Sequence, residues 1–201
     1  MSTTWTLTIA LFGFWRAGTG RGYGVGVDAV VRRDEVGLPL LPGRHLRGLL
    51  RDALETLTIL GDSSVPPGTA ERLFGRPAGD GETRHDGTPG IVTVGSAHLP
   101  GAWRAYARAL PAAQRTTEFA PLFPRLSSTT IDDHSGTAKS GGLRTAEVAV
   151  PMELHASIGG PLGKEDIDAL RAAARWVRAV GGGRTRGLGR ARLSLSEGSS
   201  S

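Results

Sequence analysis

Apolar and polar positions alternate at the start of the chain. From Thr4 to Phe12, Trp5, Leu7, Ile9 and Leu11 take every second place, with Thr4, Thr6 and Thr8 between them. A period of two with β-branched residues predicts a strand buried on one side, its polar face open to solvent or a ligand. Between Leu38 and Leu57 the spacing changes. Pro39 and Pro42 oppose helix before them. After Gly43, Leu46, Leu49, Leu50, Ala53, Leu54 and Leu57 recur at three and four, which predicts a helix with a core-facing stripe. Ile91–Leu99 reads as a strand. Thr145–Ile158 alternates through Val148, Val150, Met152, Leu154 and Ala156 and reads as one long strand, with Pro151 at an edge or a bulge. Lys164–Val180 reads as a second helix, with Glu165, Asp166 and Asp168 in its first turn, where the dipole favours acids. Leu188–Leu195 alternates as a final strand.

Between these elements the pattern is weak. Val25–Arg33 suggests a short strand or hairpin arm. Ala70–Phe74 offers one helical turn and Ala102–Leu110 a weak helix. Prolines make Phe119–Thr130 irregular, and Gly61–Gly68 and Gly75–Gly90 read as loops. Ile131–Arg144 carries turn residues suited to a protruding hairpin. The order strand, helix, strand, strand, helix, strand predicts an α+β, ferredoxin-like (RRM-type) βαββαβ core with long insertions, including a thumb-like hairpin. At 201 residues the chain fits one domain. That domain spans 1–196, with insertions at about 75–90 and 100–146, followed by a disordered tail at 197–201.

Composition narrows the function. There are no cysteines, which excludes disulfides and thiolate metal sites and is consistent with a cytoplasmic location. No apolar run reaches the length of a membrane span, so no membrane partner is expected. The formal net charge is +5, and of 24 basic residues only Lys139 and Lys164 are lysine. Arginine presents a planar fork of donors that matches phosphate. Arg16–Tyr23 is glycine-rich, but no helix opens after it and it lacks the Gly-Lys-Ser/Thr end of a P-loop. Nucleotide-cofactor binding is therefore not indicated.

Two stretches concentrate glycine or arginine. Gly181–Arg190 reads GGGRTRGLGR. It is either a flexible connector with solvated arginines or a bend that cradles a polyanion backbone. Arg44, His45, Arg47 and Arg51 crowd the start of the first helix, where the dipole disfavours cations. They are either solvated or arranged around an anion bound from outside. Asp28 interrupts the valines of Val25–Arg33, as a local backbone acceptor or as an exposed carboxylate. His85–Asp86 lacks a third metal ligand, and His98 reads as structural. Asp132–Asp133 reads as turn chemistry more readily than as a metal site.

Three of these stretches resemble the repeat-associated mysterious protein (RAMP) superfamily of CRISPR systems. The chain looks most like the Cas7-type backbone subunits of type III effector complexes, the Csm3 and Cmr4 group. Pro42, Gly43, Arg44, His45, Leu46, Arg47, Gly48 and Arg51 are similar to the family's Pro-Gly-Ser-Ser-Leu-Lys-Gly-x-x-Arg segment, with Arg44 and His45 in place of the serines. Gly181–Gly189 is similar to its C-terminal glycine-rich loop. Thr130–Asp132 with Leu143, Arg144, Thr145 and Glu147 is similar to its thumb insertion.

The resemblance implies a subunit that binds crRNA and target RNA beside other Cas subunits and copies of itself in a filament. It implies RNA contacts at Arg44, His45, Arg47, Arg51, Gly182, Gly183, Arg184, Arg186, Gly187 and Arg190. Ile131, Asp132, Leu143 and Arg144 would belong to the thumb. Val27–Asp34 matches the family's Ile-Asp-x-x-Val-x-x-Asp frame, except that Val30 replaces its proline. Asp28 then falls at the catalytic place, as general base or as holder of a divalent metal (Mg2+ or Mn2+), and Asp34 at the second acid. The alternatives are a crRNA-binding scaffold without chemistry, a guide-processing endoribonuclease using His45, and a metabolic enzyme acting on a phosphate-bearing substrate.

Overall fold

The computed structural model describes residues 4–18, 29–76, 87–131 and 137–198. In chain order its elements are β1 (Trp5–Leu11), α1 (Gly43–Ile59), α2 (Thr69–Phe74), β2 (Gly75–Arg76), β3 (Thr88–Pro89), β4 (Thr93–Val94), α3 (Gly101–Ala109), α4 (Ala112–Phe119), β5 (Arg125–Ile131), β6 (Ala138–Glu147), β7 (Glu153–Gly159), α5 (Lys164–Trp176) and β8 (Ala191–Glu197). A four-stranded sheet runs β4-β7-β1-β8, and every neighbouring pair is antiparallel. β5 and β6 form a separate hairpin, as do β2 and β3.

The alternation of β1 sorts the two faces. Leu7, Ile9 and Leu11 are buried together with Leu154, Ala156 and Ile158 of β7 and Ala191, Leu193 and Leu195 of β8. The stripes of α1 (Leu46, Leu50, Ala53, Leu54) and α5 (Ile167, Leu170, Ala173, Ala174) close over that face, and α1 packs against α5. All these residues belong to one core cluster. The opposite face stays polar and partly exposed: Thr6 and Thr8 on β1, Ser157 on β7, and Ser194 and Ser196 on β8.

Four differences from the sequence pattern have local causes. The alternation of 145–158 is two strands, because the chain leaves the hairpin at Glu147 and reaches Pro151 before re-entering the sheet at Glu153. α5 stops at Trp176 rather than Val180, because Val177 turns to an extended conformation (φ −68°, ψ 118°) and Ala179 pairs with Arg190. The segment 91–99 forms regular strand only at Thr93–Val94, with single bridges at Ala97 and His98. β8 runs through Glu197, which pairs with Trp5 and so belongs to the sheet rather than to a tail.

Candidate nucleic-acid interface

The glycine-rich bend is a built structure. It leaves α5 through Val180, whose N–H donates to the Gly189 carbonyl at 2.9 Å, so the loop closes on itself. The Gly189 N–H donates to the Phe14 carbonyl (2.8 Å) and the Gly182 N–H to the Arg16 carbonyl (2.7 Å). The segment just after β1 therefore supports the bend from beneath. Between these anchors Arg184–Arg186 makes one short 3-10 turn. It presents Arg184 and Arg186 to solvent, and Arg190 is exposed where β8 begins.

The start of α1 meets this bend directly. The Gly181 N–H donates to Nε2 of His45 at 2.8 Å, across 136 residues of sequence. That bond needs an unprotonated Nε2, so it fixes the neutral ring with its proton on Nδ1. Half-burial lowers the His45 pKa, and the nearby Arg184 charge lowers it further. Protonation would remove the acceptor and face an N–H toward an N–H. Because the folded-state pKa is depressed, the bond's stabilisation is complete above the unfolded value of about 6.5. It declines as pH falls from there toward the folded value. The expected result is a melting temperature that drops below about pH 6.5 in the native chain but less in His45→Gln, whose amide oxygen accepts at any pH. Thermal melts at stepped pH check it.

The β5–β6 hairpin supplies a third side. Ser128, Thr129 and Arg144, midway along the hairpin, line a cleft of about 370 Å³ with Arg186. Ile131 and Leu143 are strand positions in it, paired with Ala138 and Thr129. Asp132 lies outside the described residues, as do Asp133, His85 and Asp86. On the other side of the bend a cleft of about 390 Å³ is lined by Leu49, Asp52, Trp176, Arg178, Arg184 and Thr185, among others.

Charge pairing marks the surface. Arg33 pairs with Glu147 (2.8 Å), Arg72 with Asp166 (2.5 Å), Arg104 with Glu35, and Arg171 with Asp168 (3.3 Å). Among the described residues, Arg44, Arg144, Arg184, Arg186 and Arg190 have no carboxylate at ion-pair distance, and the exposed Arg125, Arg175, Arg178 and Arg192 lack one too. The first five are exposed as well. Unpaired guanidinium groups gathered around glycine backbone suit a polyanion held by its phosphates.

The two remaining arginines of the α1 start behave differently. The Arg47 guanidinium donates to the Val92 carbonyl (2.9 Å) and the Phe74 carbonyl, and lies 5.2 Å from the centre of the Phe74 ring. It fastens α1 to the chain around β2 and β4, with two of its five N–H donors given to backbone carbonyls. Arg51 donates to Glu55 one turn further along α1 at 2.7 Å. An exposed pair of that kind contributes only about 0.3–0.5 kcal/mol, so a phosphate could displace it. Spacing put four basic residues at one helix start, and among the described residues His45 is the one bonded to the bend.

Asp28 lies outside the described residues, and the segment C-terminal to it is fastened to the hairpin. Ala29 bridges Ala146 of β6, the Glu147 N–H donates to the Ala29 carbonyl (2.9 Å), and the Val31 N–H donates to Glu147 Oε1 (3.0 Å). Asp34 is 2% exposed at its side chain. Its Oδ1 accepts the N–H groups of Val36 and Leu38, both at 3.0 Å, and its Oδ2 faces His98 and Arg104. That is the role of a turn-forming residue buried in the fold. Among the described residues no three acidic or histidine side chains gather as a metal centre. Among them, too, no helix is long and apolar enough to cross a membrane.

Sequence reasoning overlooked Phe12 and Phe14. Both rings are exposed, at 55% and 39%, beside the bend. The signal was present: they extend the outward series Thr6, Thr8, Ala10 by two more steps.

The family profile described as the RAMP superfamily matches residues 12–192. The chain belongs to that superfamily. No curated protein matches it. Among the solved structures that match, two are similar across their length. One is a chain of type III-B Cmr-beta in the apo state, 15% identical with a TM-score of 0.64, covering 96% of this chain and 97% of that one. The other is a chain of type III-B Cmr-beta bound to cognate target RNA, 14% identical with a TM-score of 0.65, covering 96% of each. At that identity the likeness establishes a shared fold.

Proposed function

We propose that this chain is a crRNA-binding backbone subunit of a type III CRISPR effector complex. The observation that carries the reading is the junction of His45 with Gly181, which brings the start of α1 and the arginine-lined bend into one surface. Membership of the RAMP superfamily supports it. So does the fold shared with type III-B Cmr-beta chains, one of them in a complex bound to cognate target RNA. The strand order β8-β1-β7-β4, with α1 and α5 on one face, supports a ferredoxin-like core.

In this reading Arg44, Arg184, Arg186 and Arg190 hold guide phosphates, and exposed glycine backbone at Gly182 and Gly187 lets the strand approach. Guide pairing selects the target sequence, so the protein needs no base-reading code of its own. The β5–β6 hairpin is the thumb, with Arg144 at the cleft it shares with Arg186. Target RNA, other Cas subunits and further copies of this chain in a filament complete the assembly.

Cleavage of target RNA is assigned to Asp28, as general base or as ligand of Mg2+ or Mn2+. Such ions accept one or two carboxylates together with substrate phosphates. Guide processing by His45 is the weaker alternative, because its Nε2 already accepts the Gly181 N–H.

Purification from the source cell followed by sequencing of bound RNA tests the assignment. Short RNAs sharing a repeat-derived segment are expected. A preparation free of RNA that also fails to bind added RNA contradicts it.

A further inference from the structure

On β1 the open face of the sheet carries Thr6, Thr8 and Ala10, paired with Ser157, His155 and Glu153 of β7 and with Ser196, Ser194 and Arg192 of β8. The serines and threonines toward one end leave room for a planar group to lie on the sheet. At one end of that face the series changes. Phe12 and Phe14 follow in the segment that leaves β1, both exposed, while Leu11 before them and Trp15 after them are buried.

Around the rings the chain places cations. The Phe12 N–H donates to the Arg190 carbonyl (2.9 Å), so Arg190 flanks Phe12 across the strands. Arg192, paired with Ala10, lies 5.8 Å from the centre of the Phe12 ring. Glu153, the other partner of Ala10, is engaged by His155 Nε2 at 2.9 Å. Two exposed phenyl groups stand in an arginine-rich setting. They match a surface that takes bases on rings and phosphates on guanidinium groups.

We propose that Phe12 and Phe14 are a base-stacking platform for single-stranded RNA, with Arg190 and Arg192 holding the phosphates on either side of the stacked bases. The platform rests on the RNA-binding reading above and extends it. The bend and the start of α1 grip backbone alone, whereas this site takes the base faces. Any base has a π-face, so the site is indifferent to sequence, as a subunit that serves changing guides requires.

The test compares two probes on the full chain at fixed salt. One is a short oligouridylate; the other is a base-free ribose-phosphate oligomer of equal length. Phe12→Ala and Phe14→Ala should each weaken oligouridylate binding by about 5- to 100-fold. They should leave the base-free oligomer and the salt slope unchanged. Phe14→Trp should restore binding and Phe14→Leu should not, and an unchanged melting temperature in all of them separates the effect from folding. Arg190→Ala should weaken both probes. If the native chain binds oligouridylate and the phenylalanine variants bind it equally well, the platform is wrong while the RNA reading stands. The same holds if the variants lose self-association or a protein partner at unchanged RNA affinity. If the native chain binds neither probe, both readings fall.

Discussion

Gly189→Ala is expected to lower the melting temperature sharply and to abolish RNA binding with it. Gly189 sits at φ +73°, and a Cβ placed there would lie 1.9 Å from the Val180 carbonyl oxygen. That oxygen is backbone held by the loop closure, so it cannot swing aside as a side-chain tip would. The bonds that define the bend pass through the same residue: Val180 donates to its carbonyl and its N–H donates to Phe14. Left-handed backbone at a residue with a Cβ costs roughly 1–3 kcal/mol. The collision adds to that, so a total of about 3 kcal/mol or more is expected. For a chain of this size that is a fall of roughly 6–12 °C. Gly187→Ala is the control. Its φ is +81° but nothing lies within 4 Å of the added carbon, so only the backbone cost of about 1 kcal/mol is expected. Calorimetric melts of the two variants, with RNA affinity measured on the same samples, check the contrast.

Asp28→Ala is expected to reduce cleavage of guide-paired RNA by about 10²- to 10⁴-fold, the contribution of one positioned acid or base. Affinity for the guide should not change, because the proposed phosphate ligands stand on α1, the bend and β8. The residues just after Asp28 give that separation a physical basis. Ala29 and Val31 are held by the backbone of β6 and by Glu147, and Arg33 both pairs with Glu147 and lies 3.8 Å from the centre of the Phe123 ring. Single-turnover cleavage with matched binding curves checks it. Undiminished cleavage removes Asp28 from the chemistry and leaves the scaffold reading.

The elements legible in the sequence were those whose burial is periodic. β1, α1 and most of α5 each show one apolar side, and that side is the one buried. α4 was not legible, because Phe119 is its one buried residue and AAQRTTEF has no stripe. The end of α5 was overextended because Val177 and Val180 keep helical spacing and are buried. They are buried beside β8 and not on a helix, and apolar pattern records burial without recording backbone conformation. For the site, glycine and arginine content located the bend, but spacing along α1 could not say which basic side chain faces it. Arg47 and His45 are two residues apart on a helix, so they point to different sides: one to the Phe74 carbonyl, the other to Gly181. The substitution of His45 for a family serine looked like a departure. In the structure its ring is the link between two distant segments.

The most direct measurement is the salt dependence of RNA binding by the native chain and by a variant carrying Arg184→Ala, Arg186→Ala and Arg190→Ala. A plot of log affinity against log salt for single-stranded RNA falls by about 0.7 for each phosphate neutralised. If these three side chains hold phosphates, the variant binds more weakly and its slope is shallower by about 2. Identical slopes and affinities would mean that the arginines of the bend face water alone, and the RNA-binding account would fail with them.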